Sequence, residues 1–570
     1  MQMTRILIFC LLSIFIINPL IAEIRVNKLF CDHMVLQQEM KVAVWGTGTA
    51  NQRVSVLGSW GKTSEGSVDE DGRWKLFLQT PSHGGPYTLS IQGEKTEIQI
   101  KDVLIGEVWL CAGQSNMGWS LGQTFLGDEE AQKSEHPNYR IFKSQREHWH
   151  EPLEESRDRL ASWKKCNAET ASKTSAVSYY FGKKLHQELG IPIGIIVQAF
   201  AGTPIEGWMP WEIQNEDPRT VVHKKELDDL SQRLAERGRE SLEKSMAKFE
   251  KELSLYNQRI DKGETMKSKL RVLSPPIITK PANLGHQYPQ HIYNAMIHPI
   301  RPFGIRGMIW YQGERNSKTV QQASNYKNQL ALLIEYYRSS WFENSEGNME
   351  KDFPFFFTQL PSWHAEQKKP VEGLESPWVV NREMMRHVTQ QVPKTGMAVS
   401  IDTGDAVSLH PKNKKPIGIR HAYLALKQVY NFDLVDYGPR YEKFRVNENL
   451  AEIEFSSIGS GIMGDKGDLI DSFALAGEDK VWHWASGKIQ GNKVVVSSPE
   501  VNKPVAVRYA WAMNPSKRNL LYNKEGIPAS PFRTDDWPLF EMDAEEVMIG
   551  KPAKDLPKST SDWSRPLMTQ

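Results

Sequence analysis

The chain has 570 residues, too many for a single hydrophobic core, so about two to four domains are expected at the usual size of about 100 to 200 residues each. Seventy Lys and Arg nearly cancel sixty-nine Asp and Glu, and a net charge of +1 excludes a whole-molecule field that would recruit nucleic acid or an anionic membrane. Eighteen Trp and seventeen Tyr supply flat amphipathic rings suited to sugar faces, although core packing takes most such rings in any protein.

Residues 1–22 show a cationic start at Arg5, an apolar run from Ile6 to Ile17 and a small residue at Ala22. This is the layout of a signal peptide, so a secreted or periplasmic protein is expected. The run is too short to span a bilayer comfortably. Leu20 stands where cleavage prefers a small residue, which leaves an uncleaved signal anchor as the alternative. Cys10 lies in the run, and Cys31, Cys111 and Cys166 form an odd, sparse set rather than a disulfide framework. None has a Cys or His partner at metal-ligand spacing, so all three are read as small buried side chains.

From Glu23 to Lys101 short alternating runs such as Val42 to Trp45 and Thr88 to Ile91 are cut by turns at Asp71-Gly72 and Gly84-Gly85, which predicts a small β domain. The next stretch, about 102–435, is different. Runs apolar on both faces, at 108–111, 195–197, 308–310, 355–357 and 397–401, read as a buried parallel sheet. Between the first two, Val177, Phe181, Leu185 and Leu189 recur at four-residue steps, and Gly190 is placed as a C-cap, so a crossover helix is expected over 175–190. Together they predict an α/β layered domain.

A charged insertion at about 213–285 carries an apolar stripe of Leu242, Met246, Phe249, Leu253, Tyr256 and Ile260, read as a helical hairpin broken near Gly238. Alternating runs return at 450–455, 493–496 and 505–511, so 436–550 is expected to be a second β domain, a C-terminal β-sandwich, with 551–570 a loose tail.

Four loops follow strands of the predicted sheet, at the edge where open α/β sheets build their sites. The first is Gly113-Gln114-Ser115-Asn116-Met117, whose hydroxyl is either a nucleophile or a helix cap. Met117 stands where the second Gly of a Gly-x-Ser-x-Gly elbow would be. The second is Phe200-Ala201-Gly202-Thr203-Pro204-Ile205-Glu206, where Gly202 lets the backbone approach a ligand. The third, Trp310-Tyr311-Gln312-Gly313-Glu314, brings a side-chain amide, and the fourth brings His410-Pro411.

In these four segments, extended by His410-Pro411-Lys412-Asn413-Lys414, the chain resembles the SGNH hydrolases and, within them, the sialate O-acetylesterase group, whose blocks they match in order. The likeness reaches Asp32 to Gln37 in the first β domain and Tyr522 to Arg533 in the last. It implies an SGNH (flavodoxin-like) three-layer α/β sandwich with a parallel sheet, flanked by N- and C-terminal β domains. It also implies a secreted serine esterase that removes O-acetyl groups from a carbohydrate and needs no cofactor or metal. Ser115 would be the nucleophile and His410 the base. The Ser115 and Gly202 N–H groups and the Gln312 side chain would form the oxyanion hole.

Three departures bear on that transfer. Many SGNH enzymes carry an Asp three residues before the catalytic His, whereas Val407 stands here, so either a dyad operates or Asp402, Asp405 or Glu314 supports His410. Asp405 is read first as a turn residue and Glu314 as buried support. Arg315 replaces a small residue; a structural ion pair is expected of it, with a carboxylate or sulfate on the substrate sugar as the alternative. Phe200-Ala201 replaces Trp-Gly and reshapes the pocket rim. The acetylated substrate is left open among sialic acid, xylan and sulfated polysaccharides. A non-catalytic carbohydrate-binding protein is the rival, disfavoured by Ser115 and His410 occurring together. No apolar lid helix points to lipid esters. His148 and His150 lack a third metal ligand and are read as a surface strand.

Overall fold

The computed structural model describes residues 23–262, 284–371, 376–516 and 518–539. The expected signal segment and the 551–570 tail lie outside the described residues.

A single strand, Glu97–Gly113, organises the molecule. Its first residues alternate in burial and pair antiparallel with Gly84–Gln92. From Val103 onward it is buried on both faces, and it pairs in parallel with Ile193–Ala199 from Glu107 and with Gly307–Tyr311 from Trp109. The domain boundary expected between 101 and 102 therefore falls inside a continuous strand; Arg53–Gly58, Lys62–Ser67 and Gly84–Gln92 extend the main sheet, while Arg25–Val26, Lys41–Thr47 and Arg73–Gln79 form a separate three-stranded sheet. Glu107, fully buried at its middle, takes a bidentate pair from Arg306 at 2.6 and 3.0 Å and hydrogen bonds from Gln37, Gln38 and Tyr430. One carboxylate thus ties the early loops to the core, its charge satisfied on every side.

The main sheet runs in the order Ser162–Cys166, His136–Lys143, Ile193–Ala199, Glu97–Gly113, Gly307–Tyr311, Phe355–Thr358, Thr395–Ala398. All neighbours are parallel except the antiparallel edge Ser162–Cys166. Alternate side chains enter opposite cores, as the strand period requires. Val108, Leu110, Met308, Trp310 and Phe357 meet Tyr326, Leu330 and Tyr337 of the helix Val320–Asn344 and Trp378 and Met385 of Pro377–Gln391. Trp109, Cys111, Ile309, Tyr311 and Phe356 meet Val177, Phe181 and Leu185 of Ala176–Leu189 and Ile417 of Lys415–Gln428. The result is helix, sheet, helix: three layers. The crossover helix has the expected ends, with the Ser175 side chain accepting from the Ser178 N–H and Gly190 left-handed at φ 68°.

The break expected at Gly238 is absent. Pro218–Asp261 is one helix of 44 residues, and the return arm of a hairpin, 263–283, lies outside the described residues. A mid-helix glycine costs only about 1 kcal/mol. Good helix formers and i,i+4 pairs such as Lys224–Asp228, Lys225–Asp229 and Lys248–Glu252 offset it.

The C-terminal region is an antiparallel seven-stranded sheet spanning residues 440–533, with a short two-stranded pair beside it. Arg382 clamps it to the α/β core. Its buried guanidinium donates to the carbonyls of Leu360 and Pro361 on one side and Ala512 and Met513 on the other, at 2.6 to 3.0 Å. Among the described residues no helix is long and apolar enough to cross a membrane.

Candidate active site

The central strand ends at Gly113, φ 145°, where a Cβ would run into the Tyr311 carbonyl of the neighbouring strand. Only glycine fits there. The chain then turns into a short helix, Ser115–Gly118, so Ser115 stands at the carboxyl edge of the sheet as its first residue. The first N–H groups of a helix have no partner within it, which leaves the Ser115 N–H pointing outward. Among the described residues no hydrogen bond ties down the Ser115 hydroxyl.

The Gly202 loop follows Ile193–Ala199 and is anchored by Phe200 N–H to Gly113 O at 3.0 Å. Gly202 is left-handed at φ 74° and exposed, with open space where a Cβ would stand. Its carbonyl accepts from Gln287 Nε2 at 2.9 Å, and among the described residues its N–H is unbonded. It remains a candidate oxyanion donor beside Ser115.

Gln312 does not. Its side chain is fully buried, and Nε2 donates to Thr203 O at 3.2 Å and to Asn316 Oδ1 at 2.8 Å, while Oε1 accepts from Tyr326 Oη at 2.7 Å. An amide has two hydrogens, and both are taken. Gln312 therefore braces the Gly202 loop from below and has none left for an oxyanion. Asn316, not singled out in the sequence, completes the brace by accepting from Ile205 N–H at 2.9 Å and donating to Glu206 Oε2 at 2.8 Å.

Two contacts tie the His410 loop to the segment that follows Ser115. The His410 ring stacks on Trp119, four residues beyond Ser115, with centroids 4.6 Å apart and planes 14° apart. Asn116 Nδ2 donates to the Leu409 carbonyl at 3.1 Å. The His410 Nε2 is buried and bonds nothing among the described residues, and the His410 N–H donates to Ser408 Oγ at 3.1 Å. Burial, and then the charge of Lys414, push the imidazole down to about 4. A paired carboxylate would push it the other way.

The candidate acids behave accordingly. Asp402 is held bidentate by Arg420, 2.7 Å at each oxygen, and also accepts from Tyr522 Oη at 3.1 Å. It belongs to a buried ion pair with Arg420. Asp405 Oδ1 accepts the N–H groups of Val407 and Ser408 at 2.9 and 3.2 Å, the turn role expected of it.

Glu314 sits in a buried polar cluster that sequence reasoning missed. Asn116 Nδ2 donates to Glu314 Oε1 at 2.5 Å, and Lys414 Nζ donates to Asn116 Oδ1. Lys414 is almost wholly buried over the Tyr311 ring, and burial presses its ammonium down to about 7 while raising the Glu314 carboxyl. The Asn116 amide thus links both charges to the residues next to Ser115 and His410. A lone Asn and a lone Lys carry no periodic signal, so only their positions inside the matched segments marked them.

Arg315 makes no ion pair among the described residues, contrary to the expectation for it. Beside it Phe200 stacks on His286 at 5.4 Å and 15°, and Tyr288 on His291 at 5.0 Å and 13°, forming an aromatic rim. His148 joins this rim at 6.3 Å from Phe200, in an irregular segment instead of the strand expected. Among the described residues no group of three or more His, Cys, Asp or Glu is arranged to hold a metal ion.

Residues 105–266 and 280–420 match the model of the carbohydrate esterase, sialic acid-specific acetylesterase family. The sialate O-acetylesterases of Mus musculus and Homo sapiens are 27% and 25% identical to this chain. The mouse alignment covers 88% of the chain and 92% of the mouse protein, the human one 88% and 90%. A crystal structure of a carbohydrate acetylesterase from Xanthomonas citri superposes with a TM-score of 0.73 at 31% identity, covering 90% of this chain and 100% of that one. The chain is a carboxylic ester hydrolase and belongs to the sialic acid-specific acetylesterase family of carbohydrate esterases.

Proposed function

We propose that the protein is an exported esterase that removes O-acetyl groups from a carbohydrate, sialic acid first among them, through an acetyl-enzyme on Ser115. The reading is supported by the two ties between the Ser115 segment and the His410 loop at one sheet edge, the Trp119 stack on His410 and the Asn116–Leu409 bond. The names of the relatives, sialate O-acetylesterase and carbohydrate acetylesterase, support the substrate class. The export reading rests on the 1–22 pattern.

In this mechanism Ser115 Oγ attacks the acetyl carbonyl carbon while His410 takes the hydroxyl proton. Charge gathers on the carbonyl oxygen, facing the Ser115 and Gly202 N–H groups. Collapse expels the sugar oxygen, which receives the proton from His410, and leaves acetyl on Ser115. Water then attacks the acetyl group, giving its proton to His410, and acetate departs with Ser115 restored. The two groups act as a dyad, with the ring held by its stack on Trp119 in place of an acid. A base pressed down to about 4 is neutral and competent through the whole neutral range.

The sign of the pH dependence follows. Activity needs neutral imidazole, so kcat/KM falls on the acid side through the pKa of His410, near 4. Lys414 carries charge at that pH and disfavours imidazolium. Lys414→Met is therefore expected to move the acid limb upward, towards the ordinary imidazole value of about 6.5. A pH–rate profile with the limb unmoved would contradict this role. The function itself is tested by released acetate from O-acetylated sialic acid, acetylxylan, acetylated sulfated polysaccharide and p-nitrophenyl acetate. Turnover of at least one glycan ester is expected; hydrolysis of none would remove the reading.

A further inference from the structure

Most buried and half-buried arginines of this fold are satisfied, and Arg301, whose Nε is unbonded among the described residues, still donates to Ser340 Oγ and lies over the Tyr293 ring. Arg306 pairs with Glu107, Arg420 with Asp402, Arg508 with Asp535 and Arg140 with Asp102. Arg382 and Arg338 donate to backbone carbonyls. Arg315 stands apart. Its Nε donates to Gln287 Oε1 at 2.8 Å, and among the described residues its two terminal nitrogens bond nothing. Glu206 is the carboxylate whose field reaches it, and both Glu206 oxygens are already engaged, Oε1 by Gln329 at 2.7 Å and Oε2 by Asn316 at 2.8 Å. A half-buried guanidinium whose terminal nitrogens touch no carboxylate costs stability unless something else uses it.

Its place says what does. The Arg315 N–H donates to Gln114 Oε1 at 3.3 Å, one residue before Ser115. Through Gln287, whose Nε2 donates to Gly202 O at 2.9 Å, the guanidinium is also fixed to the loop of the candidate oxyanion donor. Glu314 and Asn316, buried on either side of it in the same short turn, hold the backbone. With Nε engaged, Nη1 and Nη2 remain as a fork suited to two oxygens of one anion. The Phe200–His286 stack beside Gln287 supplies a flat face for the sugar that carries it.

We propose that Arg315 is a specificity-determining residue that binds an oxyanion, a carboxylate or a sulfate, borne by the acetylated sugar. This rests on the esterase reading above. It assigns the protein to acidic glycans, and neutral acetylated sugars become the poorer substrates.

The test measures kcat/KM for four probes: O-acetylated N-acetylneuraminic acid, its methyl ester, an acetylated glucoside 6-sulfate and the same glucoside without sulfate. Each anionic probe is divided by its neutral partner. At least one ratio is expected to exceed unity in the natural protein and to fall by about tenfold to a hundredfold in Arg315→Gln, the worth of hydrogen bonds to a charged group. Arg315→Lys should recover part of it, since a point charge lacks the fork. A fall confined to the sialic acid pair assigns carboxylate, and one confined to the glucoside pair assigns sulfate. Ratios near unity, or unchanged in Arg315→Gln, overturn the proposal. p-Nitrophenyl acetate, which carries no anion, separates the two failures: natural protein inactive on it as well as on all four probes contradicts the esterase reading itself.

Discussion

Ser115→Ala is expected to lower kcat for acetate release on the order of 10⁶-fold, the scale seen when a serine hydrolase loses its nucleophile. The size follows from what is removed. Without Oγ no acetyl-enzyme forms, and the one-step attack of water must do without a nucleophile already positioned and activated. The fold should hardly notice. Ser115 is only partly buried, its hydroxyl bonds nothing among the described residues, and alanine is a good helix former. An unchanged circular dichroism spectrum and melting temperature with activity gone is the expected result. Activity close to that of the natural protein would exclude Ser115.

His410→Ala is expected to cost nearly as much, because nucleophile and base act as one unit and their losses do not add. The double variant should therefore be about as inactive as either single one. The acids behind it separate a dyad from a triad. Asp402→Asn breaks a buried pair with Arg420, which typically costs about 3 to 5 kcal/mol of stability, yet kcat per folded molecule should persist. Asp405→Asn keeps the Oδ1 acceptor used by Val407 and Ser408 and should retain most of its turnover. A fall in Asp405→Asn as deep as that of His410→Ala, with melting unchanged, would restore a triad.

The sheet was readable because its strands are apolar on both faces and end in loops rich in Gly and polar residues. Ser115, Gly202, Gln312 and His410 all follow such strands, and all four loops meet at one edge. The unity of Glu97–Gly113 was hidden because the period changes within it, from alternating to continuously apolar near Val103. A change of period reads as a boundary, while the strand continues through an irregularity at Asp102, φ 54°. Gly238 misled for a related reason: a weak local preference was set against the sum of its neighbours, and the sum prevails.

In the site, residue type alone could not assign roles. An amide such as Gln312 serves equally as an oxyanion donor or as a brace, and only its partners, Thr203, Asn316 and Tyr326, decide for the brace. The same holds for the acids. Asp402 is near in sequence to His410, yet Arg420, which claims it, is one helix turn inside Lys415–Gln428. Lys414 and Asn116 escaped because a buried polar cluster has no spacing rule; it exists only once distant loops are folded together.

The central claim, that the acetyl group is carried on Ser115, is tested most directly by covalent trapping. The natural protein, treated with a fluorophosphonate and digested, should lose activity as one equivalent of label is incorporated. Mass spectrometry should place that label on Ser115. Stoichiometric inactivation with the label on another residue, or full activity after Ser115 is modified, would contradict the account.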